Sequence, residues 1–590
     1  MAKIDIINMD DFARTRKENG YYVDKTGFLE KFQRAPAEAT LFTRPRLFGK
    51  TMFLSMLAEF FDIAKDSRKL FEGLAVSANR ELCAQWMNQY PVIFLSLRNV
   101  SGRTFADALA FFSYRIVRLF GHYSEILSSG KISARDRMLF EDIINQSATE
   151  AGLRNSLKIL TRILTEYYQK QPIVLVDDYD APIARAAENG YYDEMLDFLH
   201  GFLSAGLKTN WDNLKFGILT GRLHIPLQSG LNNLDVDDLT TTCRYADVFG
   251  FTQGEVDKLL CDAGFSEKRE VFRDWYGGYR LGDKTEVYSP WSTMQYLRDL
   301  QAYPTLEPES NAHDSSQSFF IKKLFPDEYL EMAAEIANLV LGGVLLKRIP
   351  RTSTYKNLDF SANLWAVLYQ CGCLTRASKE QLQSLDVSPN PARDEMALVI
   401  PNEEIRTVFW YTVSTWYRDT VDTEQQRRAL LDAFWQADTE GFRNKLHAIL
   451  LKNVKRSEAK ASALSAKALS ENFFHGLLAG FFLVGCPQIL SFTEVSNRSY
   501  DLQVLDNRAG RAAIVEVRRA FDEREDLLRL AETGLKQIEK NRNNARLLSD
   551  SSVKTLLHWS IAFCKKRCEA KALIKRAVKP LPSGGGYKAP

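Results

Sequence analysis

Residues 43–51 read TRPRLFGKT, and this stretch decides the fold of the first part of the chain. A glycine, a lysine and a hydroxyl residue stand in a row, between an apolar run and a segment with helical spacing. At such a helix N-terminus backbone N–H groups attract phosphate oxygens, a lysine reaches the terminal phosphates and a hydroxyl can hold Mg²⁺. The full pattern G-x-x-x-x-G-K-[ST] is not met, because Arg44 stands at its first glycine position. Gly49, Lys50 and Thr51 are therefore candidate phosphate and magnesium ligands, and a chance match at a helix start is the alternative.

The segments around this stretch alternate between strand and helix patterns. Apolar runs near residues 41–42, 92–95, 173–176 and 214–220 predict strands, and helical spacing lies between them. Strands that alternate with helices favour a doubly wound parallel sheet, here over roughly the first 245 residues.

The third predicted strand reads IVLV and ends in Asp177 and Asp178. Its C-terminal tip is where an open α/β sheet places its ligand. Mg²⁺ bound to phosphates needs few protein ligands, so Thr51 and Asp177 form a candidate metal site. Asp178 stands where a second acid can orient an attacking water, and Arg222 after the fourth strand is a candidate for the γ-phosphate. The alternative is that the two acids cap a helix.

Composition restricts the class of protein. A chain of 590 residues is too long for one core and predicts about three domains. The net charge of +3 gives no whole-chain argument for nucleic acid, so any such surface has to be local. The start lacks a signal-peptide core, no apolar run approaches the roughly 18 residues of a membrane span, and no two cysteines are spaced C-x-x-C. We expect a cytoplasmic protein without membrane contact.

Residues 499–518 carry a second candidate site. Two strand-like runs separated by a turn predict a hairpin that sets Asp501 beside Glu516. Glu516 and Arg518 are two residues apart and point to the same face of their strand. Two adjacent carboxylates favour Mg²⁺, and Glu471, at the start of an upstream helix, can add a third. The alternative is a surface ladder of ion pairs.

Several short motifs resemble the bacterial AAA-ATPase-like family, and they follow one another along the chain in the order of that family. They are YVDKT at 22–26, RPR with FGKT at 44–51, DDYDAPI at 177–183, SGLNN at 229–233, WYGGY at 275–279, YSPWS at 288–292 and IPNEEI at 400–405. In this family an arginine-proline-arginine element replaces the glycine-rich front of the loop. The resemblance implies a P-loop NTPase domain that binds ATP and Mg²⁺, with nucleotide contacts from Arg44, Arg46, Gly49, Lys50, Thr51, Asp177 and Arg222. Two residues depart from the family: Leu47 replaces a basic residue and Asp178 replaces a glutamate.

The family pairs this domain with a C-terminal domain of the PD-(D/E)XK nuclease type, which is a restriction-endonuclease-like α/β fold. The resemblance implies that Asp501 and Glu516 hold the metal. The full catalytic set that it implies is Glu471, Asp501, Glu516, Arg518 and Gln537. Arg518 replaces the lysine of the motif, which keeps the charge but cannot give up its proton at working pH.

The predicted architecture is multidomain α/β. It comprises a P-loop domain at residues 1–245, a helical middle region at 246–455, a nuclease-like domain at 456–564 and a basic tail at 565–590. The first hypothesis is a nucleotide-controlled, Mg²⁺-dependent enzyme that cleaves nucleic acid, in the first place DNA. The second is an NTP-switched binding protein whose nuclease fold does not cleave. A homo-oligomer is compatible with both.

Overall fold

The computed structural model describes residues 4–6, 10–34, 37–226, 234–240, 244–282, 285–310, 330–356, 362–384, 395–420, 424–453, 474–482, 488–493, 500–506, 508–520, 522, 524–540, 553–564 and 567–576. They divide into two compact units. The first holds the described residues up to 310, with those within 348–375 and 401–404, and the second holds the others. The limits of these units differ from the predicted boundaries at 245 and 455. The first unit continues beyond residue 245 because Tyr21 and Val23 pack against an apolar core built from residues 251–300.

The helices begin and end as follows. In the first 310 residues they are α1 (Phe12–Lys17), α2 (Phe28–Gln33), α3 (Lys50–Phe61), α4 (Arg68–Phe71), α5 (Arg80–Trp86), α6 (Phe105–Gly121), α7 (Ala134–Ile144), α8 (Glu150–Tyr168), α9 (Ala181–Asn189), α10 (Tyr192–Leu207), α11 (Gln253–Ala263), α12 (Arg269–Tyr276) and α13 (Pro290–Ala302). Beyond them are α14 (Leu330–Val340), α15 (Ala362–Gln370), α16 (Lys379–Ser384), α17 (Glu403–Thr420), α18 (Glu424–Trp435), α19 (Thr439–Asn453) and α20 (Leu527–Lys540), and residues 474–482 are also helical.

The strands are grouped in four sheets among the described residues. Those of the first unit are β1 (Ala39–Thr43), β2 (Val92–Ser96), β3 (Ile173–Asp177), β4 (Phe216–Gly221), β5 (Asp235–Asp237), β6 (Phe251–Thr252), β7 (Tyr279–Leu281) and β8 (Thr285–Tyr288). The later ones are β9 (Leu345–Arg348), β10 (Thr375–Arg376), β11 (Glu395–Val399), β12 (Gln488–Thr493), β13 (Tyr500–Asp506), β14 (Arg511–Arg519), β15 (Thr555–Cys564) and β16 (Arg567–Arg576). The middle of the chain is helical, with two three-stranded sheets, β6-β8-β7 and β10-β11-β9.

The N-terminal sheet is parallel and has the order β2-β3-β4-β1-β5. The prediction of a parallel sheet is confirmed, and β1 to β4 are the four predicted strands. β3 is buried along its whole length, as expected for a strand covered on both faces. The order places β4 between β1 and β3, so the C-terminal ends of these three strands lie side by side.

Helix α3 anchors the loop after β1 to the core of the sheet. Its apolar face carries Phe53, which packs edge-to-face on Phe28 and Phe42 with ring centroids 4.8 and 5.9 Å apart. Phe249 closes the group at 4.9 Å from Phe53. Edge-to-face contacts of this kind add to the free energy of burial, and they hold the first turn of α3 in place.

The second unit contains a five-stranded sheet in the order β12-β13-β14-β15-β16. β14 and β15 are parallel, and α20 lies between them in the chain; the other neighbours are antiparallel. Residues 567–576, which lie within the predicted basic tail at 565–590, form β16 of this sheet. Their charges do not prevent pairing, since Lys571 and Lys575 form ion pairs with Glu532 and Glu539 of α20 at 3.2 and 3.1 Å.

Within the described part of the chain, no helix combines the length and the apolar character that crossing a bilayer requires.

Candidate functional site

The loop between β1 and α3 opens towards solvent at Gly49. Gly49 precedes the first turn of α3 and has a φ of 78°, in the left-handed region that favours glycine. A Cβ atom built on it meets no heavy atom within 4 Å. Leu47 also has a positive φ, of 68°, and left-handed residues in a loop turn successive N–H groups towards one point. The loop therefore offers backbone donors and open space at a helix N-terminus.

Lys50 lies under this loop. Its Nζ donates to the carbonyl oxygens of Arg44 and Pro45 at 3.1 and 2.7 Å, and the residue is 7% exposed. Burial lowers the pKa of its ammonium group. Among the described residues no carboxylate lies within ion-pair distance of it, so its direct hydrogen bonds are to carbonyl dipoles, and the carboxylates of Asp178, Asp180 and Asp177 act on its charge from further away.

Asp177 gathers hydroxyl groups from helix α3 and from the two strands beside β3. Thr51 donates to its Oδ2 at 3.0 Å and Thr220, on β4, donates to its Oδ1 at 3.0 Å. Ser96, on β2, lies 3.4 Å from Oδ2. Asp177 is fully buried, and burial together with the neighbouring Asp178 raises the pKa of its carboxyl group. No arginine or lysine of the described chain forms an ion pair with it.

Arg98 follows β2 and bridges the two halves of the site. Its Nη2 donates to the Thr51 hydroxyl at 3.0 Å and its Nε donates to Asp178 at 3.1 Å. Its Nη1 donates to Asp10 at 2.7 Å. Because a hydroxyl has one proton and two lone pairs, the Thr51 proton points to Asp177, one lone pair accepts from Arg98 and one lone pair remains.

Asp178 is held in an unusual backbone conformation. Its φ is 51°, which is uncommon for a residue with a side chain. Burial acts to raise the pKa of its carboxyl group, but the surrounding cations, Lys50 and Arg222 first, outweigh burial and hold this pKa below its usual value. Asp178 is therefore an ionised, weakly basic carboxylate.

Arg44 does not face the open side of the loop. Its guanidinium is fully buried in an ion pair with Asp237 of β5, and it also donates to the Asp237 carbonyl at 2.7 Å. The group lies over the ring of Phe249, 4.9 Å from the centroid. The sequence assigned Arg44 to the nucleotide; the structure places its side chain against β5, and only its carbonyl oxygen contacts Lys50.

Arg46 and Arg222 lie close to each other and to Asp178. The Arg46 residue as a whole is exposed, but its guanidinium is partly buried. This burial, together with the positive charges of Arg222 and Arg98, lowers the pKa of Arg46. Burial opposes the charge of Arg222 as well, but Tyr355 and Asp180 raise its pKa above the usual value. Cations that crowd one place in this way are typical of a site for a polyanion.

The donor set fits a nucleotide and its magnesium ion. Gly49 provides open space, Lys50 and Arg46 provide charge, and Thr51 with Asp177 provides the hydroxyl and carboxylate oxygens that Mg²⁺ prefers. In the described residues no group of three or more histidine, cysteine or acidic side chains could hold a metal by itself. A metal at this site would therefore depend on the phosphates for most of its ligands.

The candidate site of the second unit lies where β14 faces α20. The register sets Asp501 opposite Glu516, as the predicted hairpin requires, although only the backbone of Asp501 is described. Glu516 is 1% exposed and forms an ion pair with Arg518, which also donates to Gln537 of α20. Glu471 lies outside the described residues. Three of the five residues expected in this site are therefore in direct contact through Arg518.

Sequence reasoning missed Arg98, Thr220 and Asp10. Thr220 stands at the C-terminal end of a predicted strand, and Arg98 stands three residues beyond another. Since the ligand edge of a parallel sheet is formed by strand ends, a scan of polar residues at those positions could have found both. Asp10 belongs to a segment without a pattern, and no signal in the sequence points to it.

Comparison with known proteins agrees with the geometry of the first unit. A curated protein from Azotobacter chroococcum mcd 1, described as "Uncharacterized protein in vnfD 5'region", is 29% identical over 303 residues. The match spans 50% of this chain and 52% of that protein, so the chain covers about half the length of this relative. Residues 6–229 match the model of the family described as "Predicted AAA-ATPase". These residues contain the loop, Lys50, Thr51, Asp177 and Arg222, and the match indicates nucleotide binding. The N-terminal region is thus similar to the AAA-ATPase-like family over residues 6–229.

Proposed function

We propose that the protein binds ATP with Mg²⁺ at the C-terminal edge of its N-terminal sheet. The observation that carries this proposal is the hydrogen bond between Thr51 and Asp177, beside the ammonium group of Lys50. These two oxygen ligands are 126 residues apart in the chain. A structural role for either residue alone does not require that they meet next to a buried lysine and an open glycine loop.

Each residue has a distinct task in this proposal. The backbone N–H groups around Gly49 and the N-terminus of α3 bind phosphate oxygens. Lys50 contacts the terminal phosphates, and Thr51 with Asp177 holds the metal. Mg²⁺, when bound, neutralises phosphate charge and polarises the phosphoryl oxygens. Arg222 and Arg46 supply further positive charge around the γ-phosphate.

We propose that hydrolysis at this site is slow. Asp178 is the acid placed to orient a water, but it is ion-paired with Arg98 and its pKa is low. A carboxylate of that kind is a poor proton acceptor, because general bases work best with a pKa near the operating pH. The arrangement supports a protein that is switched by nucleotide binding more than one that turns nucleotide over rapidly.

Titration calorimetry of the full chain with ATP and Mg²⁺ tests the nucleotide proposal. Lys50→Ala is expected to weaken ATP binding at least 100-fold. Lys31→Ala is the matched control, since Lys31 forms an exposed ion pair with Asp247 outside the site, and its affinity is expected to equal that of the wild type. An unchanged ATP affinity in Lys50→Ala would show that the nucleotide does not bind at this site.

We also propose that the second unit has a PD-(D/E)XK nuclease-like fold that contacts nucleic acid, in the first place DNA. The pairing of Asp501 with Glu516 across β13 and β14 supports this proposal, as does the contact of Arg518 with Gln537 on the following helix. In the catalytic form of the proposal, Asp501 and Glu516 hold Mg²⁺ and Arg518 stabilises developing charge on the phosphate, under control of the nucleotide.

A specific observation favours a second candidate function, in which this domain binds without cleaving. Arg518 forms an ion pair with Glu516, so the charge that would bind a metal is already compensated by a neighbour within the motif. The protein would then be an NTP-switched binding protein, with Arg518 and its surroundings as a recognition surface.

A cleavage assay separates the two candidates. Duplex and single-stranded DNA and RNA are incubated with Mg²⁺ or Mn²⁺, with and without ATP, and binding is followed in parallel by fluorescence anisotropy. Cleavage that is lost in both Asp501→Ala and Glu516→Ala supports the enzyme. Binding without cleavage by the wild type, with cleavage appearing in Arg518→Lys, supports the binding protein and identifies Arg518 as the reason.

A further inference from the structure

Residues 348–375 belong to the same compact unit as the N-terminal sheet, although they lie more than a hundred positions beyond the family match at residues 6–229. Ser353 donates its backbone N–H to the carbonyl of His224 at 2.9 Å. Gln370 accepts the His224 N–H at 3.1 Å and donates to the Ser353 hydroxyl at 3.0 Å. Ser353 and Gln370 are buried. This segment therefore packs directly on the chain that leaves β4, which carries Arg222.

Asp180 connects the segment to the end of β4. Its Oδ2 accepts the backbone N–H groups of Arg222 and Leu223 at 3.1 and 3.2 Å, and the hydroxyl of Tyr355 at 2.7 Å. Asp180 is fully buried. Its carboxylate thus orients the backbone from which the Arg222 side chain projects, and Tyr355 provides the shortest of the three hydrogen bonds.

The Tyr355 hydroxyl is suited to this role. The residue is 4% exposed, and burial raises the pKa of its phenol well above the usual value, so the hydroxyl keeps its proton and donates it to Asp180. Hydrogen bonds to an ionised acceptor are about twice as strong as those between neutral groups. Loss of the hydroxyl leaves a buried carboxylate with fewer donors and frees it to reorient.

The same segment also lies against the phosphate loop. Gly372 has a φ of 79°, and a Cβ atom built on it would come within 2.7 Å of the Cβ of Pro45. The segment thus contacts both parts of the proposed site, the loop before Lys50 and the strand end at Arg222.

We propose that Tyr355 is a positioning residue that, through Asp180, directs Arg222 at the terminal phosphate of the nucleotide. Residues 348–375 thereby complete the site that residues 6–229 begin, and they make it selective for a nucleoside triphosphate over a diphosphate. This inference rests on the proposed nucleotide binding.

The test compares two tyrosines of the same segment that each lose one hydroxyl. Tyr355→Phe removes the donor to Asp180, and Tyr369→Phe removes a buried hydroxyl that donates to the carbonyl of Leu239 at 2.6 Å. ATP and ADP affinities of the full chain are measured by calorimetry, together with melting temperatures. Tyr355→Phe is expected to weaken ATP binding 5- to 10-fold and leave ADP binding within 2-fold of the wild type. Tyr369→Phe is expected to leave the ATP-to-ADP ratio unchanged.

A double-variant cycle with Arg222→Gln separates positioning from a general loss of structure. If Tyr355 acts through Arg222, Tyr355→Phe has no further effect on ATP affinity once Arg222 is replaced. Equal losses of ATP and ADP affinity in Tyr355→Phe, or losses that add to those of Arg222→Gln, would overturn the inference. An unchanged ATP-to-ADP ratio would do the same. Abolished binding in Lys50→Ala with an unchanged ratio in Tyr355→Phe would leave the proposed function standing and refute only this inference.

Discussion

In the first unit Asp177 is held by hydroxyl groups, whereas in the second unit Glu516 is held by a guanidinium. Thr51 and Thr220 are neutral donors, so the hydrogen bonds fix the orientation of Asp177 and leave its charge uncompensated. Arg518 forms an ion pair with Glu516 and thereby supplies the opposite charge. Lys50, one of the cations of the first site, likewise has carbonyl oxygens as its direct hydrogen-bond partners.

This difference bears on function, because a metal or phosphate binds where the site's own charges are not already matched. Holding a buried charge with dipoles alone costs free energy, which a bound counter-ion recovers. A buried ion pair has recovered part of that free energy within the protein. The first site therefore favours a charged ligand. In the second site the ion pair between Arg518 and Glu516 contributes to stability, and it has to open before Glu516 can bind a metal.

The largest expected effect comes from breaking a fully buried arginine–carboxylate pair of the first unit, that of Arg44 and Asp237. Arg44→Ala leaves Asp237 buried without its counter-charge, which typically costs about 3–5 kcal/mol of unfolding free energy. Arg518→Ala is expected to cost less, because the Arg518 side chain is 28% exposed and solvent screens its pair. Denaturant unfolding measures both.

Arg14→Ala is the control for the Arg44 experiment, since Arg14 forms a surface ion pair with Glu18 and its loss should not change stability. If Arg44→Ala were as stable as this control and bound ATP less well, Arg44 would contact the nucleotide after all.

The next effect tests whether the two acids differ in their availability to a metal. Asp177→Asn is expected to remove the Mg²⁺-dependent part of ATP affinity, about 100-fold, because an amide is a poorer metal ligand than a carboxylate. Glu516→Gln should leave ATP affinity unchanged. Titrations with and without Mg²⁺ measure this, and an equal response of the two variants to Mg²⁺ would remove the distinction between the sites.

The sequence was sufficient for the parts of the first unit that depend on local pattern. Each of these features is short: the four buried runs, the glycine-lysine turn and the acids at the end of β3. The residues that form any one of them lie within a few positions of one another, so spacing alone predicts it. β5 was missed because its three residues, Asp235–Asp237, include two acids and carry no strand pattern. Between β2 and β3 the helical spacing corresponds to three helices, α6 to α8, which follow the capping residues Thr104, Ser133 and Thr149.

Side-chain partners far apart in the chain could not be predicted. Arg44 points to Asp237 across 193 residues, and Tyr355 reaches Asp180 across 175. Neither pair has a spacing that a motif could encode, and each partner is an ordinary residue in its own segment. The resemblance to a family assigned Arg44 to the nucleotide because it named a position in a motif and not the direction of a side chain.

A smaller effect is expected from Arg98, which separates the proposed switch from a fast ATPase. Arg98→Gln removes a cation beside the phosphates and a donor to Thr51, so ATP affinity should fall about 10-fold, equivalent to one hydrogen bond to a charged group. The same change releases Asp178 from its ion pair. ATP turnover per bound nucleotide is therefore expected to rise, and Asp178→Asn in the Arg98→Gln background should abolish the rise. A turnover that falls in Arg98→Gln would instead show that Arg98 stabilises the transition state.

A last effect is a dependence of stability on pH in the second unit. His475 and His558 are buried, and burial lowers the pKa of each to about 4. The unfolded chain has histidines with a pKa near 6.5, so between these values it binds more protons than the folded protein. Stability is therefore full above pH about 6.5 and falls as the pH drops towards 4, by at most about 1.4 kcal/mol per pH unit for each histidine. Thermal unfolding between pH 7 and pH 5 measures the loss, and His558→Leu should flatten it. An unchanged slope in that variant would mean that His558 is protonated in the folded protein and finds a partner there.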